Sequence, residues 1–104
     1  MPWIDIGEQK DFPVGSGTEL VAEDRIVAVF NNDGELFAMD GVCPHQGGPL
    51  GKGKLEGCIV TCPWHGWQFD VRDGQSQLSP HVRHFTFAVK VENERVMVML
   101  DSDV

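Results

Sequence analysis

Cys43-Pro44-His45 and Cys62-Pro63-Trp64-His65 each set one thiol and one imidazole within a few residues, and sixteen residues separate His45 from Cys62. Thiolates are soft donors that hold zinc or iron–sulfur clusters, and neutral imidazole suits iron or zinc. Four such groups in two short segments therefore imply a metal rather than a packed core. Zinc ribbons and fingers usually pair each Cys with another Cys two to four residues on and group their histidines three to five apart. Here each segment mixes the two donor types instead. That mixture fits a two-iron unit, with Cys43 and Cys62 on one iron and His45 and His65 on the other. A single zinc ion on the same four groups is the alternative.

The match to a known family runs beyond the donors. Cys43-Pro44-His45-Gln46-Gly47-Gly48-Pro49-Leu50 resembles the first cluster loop of the Rieske ferredoxin family. Cys62-Pro63-Trp64-His65-Gly66-Trp67-Gln68-Phe69-Asp70 resembles its second, and Ser79-Pro80 falls where the family carries a proline loop. The resemblance implies one [2Fe–2S] cluster per chain, with Cys43 and Cys62 binding the buried iron and His45 and His65 the iron nearest the surface.

Relatives from respiratory quinol-oxidising complexes add a disulfide between the two loops, at positions that are Gly48 and Trp64 here, so no such bond can form. They also place Ser and Tyr hydroxyls near the cluster sulfurs, where this chain has Trp67 and Phe69. Hydrogen bonds to sulfur stabilise the more negative reduced cluster. With fewer of them the potential is expected at the low end of the span of about −150 to +300 mV known for such centres.

A chain of 104 residues is expected to be one domain. Oxygenases that contain a Rieske centre add a large domain with a mononuclear iron on two histidines and a carboxylate. Beyond the paired segments this chain has only His81 and His84, so an electron carrier is expected rather than an enzyme. The net charge of −8 argues against nucleic acid as a partner and suits steering towards a basic protein surface. Met1 to Asp5 lacks the basic and apolar regions of a signal peptide, and no apolar run approaches a membrane span. A monomeric, cytoplasmic protein away from membranes is the expectation.

Among the remaining candidates, Cys58 reads as a small buried hydrophobe and His81-x-x-His84 as a loop rather than a metal pair. Trp64 is expected near the surface and Trp67 in the core. Gln46 sits beside His45, where a loop tip that meets a partner and a solvated residue are equally fitting. Lys52 and Lys54 read as solvated, and Asp70 as a hydrogen-bonding residue of a turn. Gly47, Gly48 and Gly66 suit positive φ or close backbone approach to sulfur, whereas Gly51 and Gly53 read as turn formers.

The elements that must position these loops read as antiparallel β throughout, without a helix. Alternation predicts strands at Trp3 to Ile6, Thr18 to Ala22, Arg25 to Asn31 and Glu35 to Asp40, the last two joined by Asn32-Asp33-Gly34. Short strands follow at Lys54 to Glu56, Cys58 to Thr61 and Trp67 to Val71, and a hairpin spans Phe85 to Leu100 with its turn at Asn93-Glu94. The expected fold is all-β: an antiparallel sandwich made by both chain ends, with a cluster-binding subdomain inserted at about 41–81. By resemblance, the protein carries single electrons from an NAD(P)H-dependent flavin reductase to a terminal oxygenase. The alternatives are a small subunit bound within a larger enzyme, such as an assimilatory nitrite reductase, and a zinc-binding interaction module.

Overall fold

The computed structural model describes residues 3–43, 47–64 and 66–100. Nine strands occur among them: β1 (Ile4–Glu8), β2 (Gly17–Ala22), β3 (Arg25–Asn32), β4 (Glu35–Asp40), β5 (Lys54–Glu56), β6 (Ile59–Thr61), β7 (Gln68–Asp70), β8 (Thr86–Glu92) and β9 (Arg95–Met99). The remaining regular structure is two single 3-10 turns, Gln9–Asp11 and Leu50–Lys52. The all-β expectation therefore holds, with strand ends moved by one or two residues.

Six strands form one antiparallel sheet in the order β1-β9-β8-β4-β3-β2. Its two halves meet at a seam of only two pairs, Ala38↔Phe87 and Met39↔Thr86. On either side of that seam the sheet folds over a shared core of Val27, Val29, Phe87, Val96 and Val98, onto which Ile4, Ile6 and Leu20 also pack. Alternation dictates this face. Val96 and Val98 are buried, and Met97 between them is less so. Asp33 at φ 55° and Gly34 at φ 96° make the tight β3–β4 turn, and the Gly34 N–H donates to Asn31 Oδ1 at 2.8 Å.

The three remaining strands pair as β5-β6-β7. They cover the opposite face of β3 and β4, where Ala28, Phe30 and Met39 join Leu50, Val60, Phe69 and Val71 in a second core. Both Cys43 and Cys62 belong to this second core. Gly51 lies within the Leu50–Lys52 3-10 turn and Gly53 caps it, as expected of turn formers, and both are also close-contact residues. A Cβ on Gly51 would stand 2.8 Å from Glu19 Cα in β2, and one on Gly53 would collide with the Thr61 carbonyl of β6. This 3-10 turn is thereby wedged between the two sheets.

Candidate metal centre

Strand β4 delivers the first loop. After Asp40 the chain is held by the Gly41 N–H donating to the Ile26 carbonyl at 2.8 Å, and by the Val42 N–H donating to Asp40 Oδ1 at 2.9 Å. The Cys43 N–H donates to the Gly48 carbonyl at 2.8 Å and the Gly47 N–H to the Cys43 carbonyl at 2.9 Å, so the loop closes on its own backbone. Gly47 stands at φ 77°, a conformation open to glycine without cost.

Strands β6 and β7 deliver the second loop as the ends of one hairpin. Thr61 pairs with Gln68, and Gln68 Nε2 donates to Thr61 Oγ1 at 3.1 Å. The Cys62 N–H donates to the Trp67 carbonyl at 2.7 Å, and Gly66 at φ 74° accommodates the turn.

The two loops bring Cys43 and Cys62 together in the second core, at 2% and 1% exposure. Burial pushes the Cys62 thiol up, and the adjacent Cys43 pushes the same way. The Trp64 backbone N–H, aimed at the Cys62 sulfur, opposes both. Two buried neighbouring thiols are a poor place for two negative charges unless a cation accompanies them. A metal supplies that compensation and deprotonates its thiol ligands outright. Gly48 completes the cradle, since a Cβ there would lie 2.7 Å from Cys62 Sγ. The donor chemistry, the burial and the space all fit an iron–sulfur cluster.

The other expected donors, His45 and His65, lie outside the described residues, as does Gln46. Among the described residues no group of three or more His, Cys, Asp or Glu gathers as a metal site. His81 and His84 part company: His81 is exposed, whereas His84 is buried with Nε2 at 2.9 Å from the Asp40 carbonyl.

Trp64 is half exposed at 49%, and Trp67 packs against the second core with its ring 6.3 Å from that of Phe69. Asp70 accepts three hydrogen bonds from Arg72, including Nη2 at 2.7 Å, and these hold its carboxyl below the usual carboxylate range. Cys58, half buried, directs its thiol to the same carboxylate at 3.7 Å. Lys52 and Lys54 are exposed and pair loosely with Glu19 and Glu56.

The contacts of two residues between β7 and β8 escaped the sequence reading. Gln75 Nε2 donates to the carbonyls of Ser79 and Val82 at 3.2 and 3.1 Å, and so pins the Ser79-Pro80 loop. His84 reaches across to the first loop. Ser79-Pro80 and His81-x-x-His84 mark this region in the sequence, but neither says which distant backbone a side chain reaches.

A β scaffold that presents two buried, adjacent thiols on paired loops defines a metal-cluster protein. The Rieske [2Fe-2S] domain matches residues 2–101, and the chain belongs to that family. It is 33% identical over 100 residues to the ferredoxin component of the naphthalene 1,2-dioxygenase/salicylate 5-hydroxylase systems of Ralstonia sp, covering 95% of this chain and 96% of that protein. The ferredoxin component of the naphthalene 1,2-dioxygenase system of Pseudomonas aeruginosa is 33% identical over 99 residues, covering 94% and 95%.

Among solved structures, the complex of reduced oxygenase and oxidized ferredoxin in carbazole 1,9a-dioxygenase contains a chain that superposes with a TM-score of 0.85. The match is at 28% identity and covers 92% of this chain and 91% of that one. The ferredoxin of carbazole 1,9a-dioxygenase from Nocardioides aromaticivorans IC177 superposes at 0.87 and 21% identity over 94% and 97%, which shows the same fold. The cofactor is accordingly a [2Fe–2S] cluster and the protein an electron carrier rather than an enzyme.

Proposed function

We propose that this chain is the ferredoxin of a multicomponent oxygenase system, accepting one electron from an NAD(P)H-dependent flavin reductase and delivering it to a terminal oxygenase. The bound cluster supplies the one-electron chemistry. Cys43 and Cys62 hold its inner iron, His45 and His65 its outer iron, and the residues at about 41–81 act as a cluster-binding subdomain within a single domain. The observation that carries the reading is the pair of buried thiols, with an exposed Trp64 in the loop after Cys62, in a chain alignable almost end to end with ferredoxin components.

The protein's own residues do three things in this scheme. The second core keeps water from the thiolate side, since Leu50, Val60 and Phe69 are fully buried. The backbone N–H of Trp64 is directed at the Cys62 sulfur, where it favours added negative charge. The Trp64 side chain, with Val42 at 39% exposure, offers an apolar surface beside the loops for a partner. Gly48 lies against Trp64 and Gly47 against Val42, so the first loop's glycines sit beside both apolar side chains. The carrier works as a cytoplasmic monomer. No helix among the described residues is long and apolar enough to cross a membrane.

The test mixes chemically reduced protein with an oxidised terminal oxygenase in a stopped-flow instrument and follows the cluster's visible spectrum. Rapid reoxidation is expected, together with equal iron and acid-labile sulfide. Stoichiometric zinc without sulfide would overturn the carrier reading. Stable co-purification with one large partner would favour an integral subunit.

A further inference from the structure

His84 lies outside both ligand loops and is 8% exposed. Its ring sits 5.7 Å from that of Phe69, in the strand leaving the second loop, and 6.4 Å from that of Phe85. Its backbone N–H donates to the Gly74 carbonyl at 2.7 Å, and Gly74 must be glycine there, because a Cβ would collide with the His84 carbonyl. The backbone of His84 is thus fixed to the turn that follows β7, while its side chain reaches the end of β4.

Nε2 lies 2.9 Å from the Asp40 carbonyl, an acceptor with no proton to give, so Nε2 carries the hydrogen. The neighbouring Phe85 carbonyl accepts the Asp40 N–H at 3.0 Å. Asp40 also accepts the Val42 N–H at Oδ1, one residue before Cys43. A continuous chain of hydrogen bonds therefore runs from the Gly74 turn through His84 and Asp40 to the backbone that presents Cys43. Burial holds the imidazole below its ordinary value, which keeps it a neutral, single-proton donor near pH 7.

We propose that His84 is a positioning residue for the centre: its Nε2–H, anchored on the Asp40 carbonyl, fixes the approach of Cys43 to Cys62. It rests on Cys43 being a ligand. A buried side chain in this place need not have been polar, because Phe69 and Phe85 would pack equally well on an apolar ring. The hydrogen bond is what a hydrophobe cannot supply. Loss of the bond frees the β4 exit, admits water towards Cys43 and favours the more negative, reduced cluster.

The experiment uses the cluster-loaded protein and three variants: His84→Phe, which keeps the ring and deletes the donor, His84→Gln, which restores an N–H at similar reach, and Cys43→Ser. Iron release to a chelator should be about five- to tenfold faster in His84→Phe, the factor expected for one lost net hydrogen bond. Its reduction potential should move upwards, and its EPR g-values should spread. His84→Gln should return all three towards the parent. A folded His84→Phe with parental release, potential and g-values would overturn the proposal. Should His84→Phe fail to fold, nitrogen NMR of the parent decides, since a protonated Nδ1 in place of Nε2 overturns it as well. Cluster retained in Cys43→Ser would defeat the ligand reading itself, a separate outcome from a silent His84→Phe.

Discussion

A Cβ placed on Gly48 would lie 2.7 Å from the Cys62 sulfur and 3.1 Å from both Cβ and Cγ of Trp64. The first loop therefore touches the second at the thiol itself, with no room for a methyl group. Gly48→Ala should displace Cys62 and lower cluster occupancy sharply, with an overpacking cost of about 1–3 kcal/mol. Gly66→Ala meets no atom within 4 Å but sits at φ 74°, so it should cost about 1 kcal/mol and keep its cluster. Iron and sulfide per chain, with thermal melts, separate the two.

Cys43→Ser and Cys62→Ser should each abolish the cluster, and His45→Ala and His65→Ala should lose or disable it. Cys58→Ala should retain it. Cys58 faces the Asp70 carboxylate at 3.7 Å. EPR of the reduced protein reads the result, because a mixed His/Cys centre has a lower average g than an all-thiolate one. Bleaching by Cys58→Ala alone would mean that the ligands are misassigned.

Trp64→Ala removes an exposed side chain and leaves the backbone N–H at the Cys62 sulfur in place. The potential should stay unchanged while the second-order rate of transfer to an oxygenase falls, by roughly tenfold or more if the indole is a docking anchor worth about 2 kcal/mol. Stopped-flow mixing at several ionic strengths measures it.

Acid should weaken the fold in two stages. His84 is held below its ordinary 6.5, so the unfolded chain takes up a proton first, and stability present above pH 6.5 is lost as pH falls towards the folded-state value. Asp70, held below its ordinary 3.8 by Arg72, keeps its contribution above that pH and loses it as pH falls through the lowered value. Denaturant titrations from pH 7 to pH 3 should show the first slope flattened in His84→Phe. Asp70→Ala should cost about 1 kcal/mol at pH 7, since it removes a part-buried acceptor of the Cys58 thiol and of the Arg72 N–H groups, while the exposed Arg72 is re-solvated.

How much of this was legible beforehand follows from range. Turn chemistry and alternation act between near neighbours, so the Asn32-Asp33-Gly34 hairpin and the Phe85 to Leu100 hairpin could be read to within a residue or two. Candidate donors could be named because metal chemistry restricts both residue type and spacing; of the four, Cys43 and Cys62 meet in the second core, and His45 and His65 lie outside the described residues. The tertiary contacts of Gly51, Gly53, Gln75 and His84 were not legible. Each depends on which distant backbone lies opposite, and that is set by the seam between β4 and β8 and by the fit of the 3-10 turn under β2.

That seam also links the first loop to the far edge of the large sheet. Strand β4, which leads straight to Cys43, is held on one side by β8, and β8 is held by β9, which pairs in turn with β1 at Ile4↔Val98. The backbone that presents Cys43 is thus tied by consecutive ladders to β1, on the far edge of the sheet, so disturbance of that edge is passed to the first loop through β9 and β8.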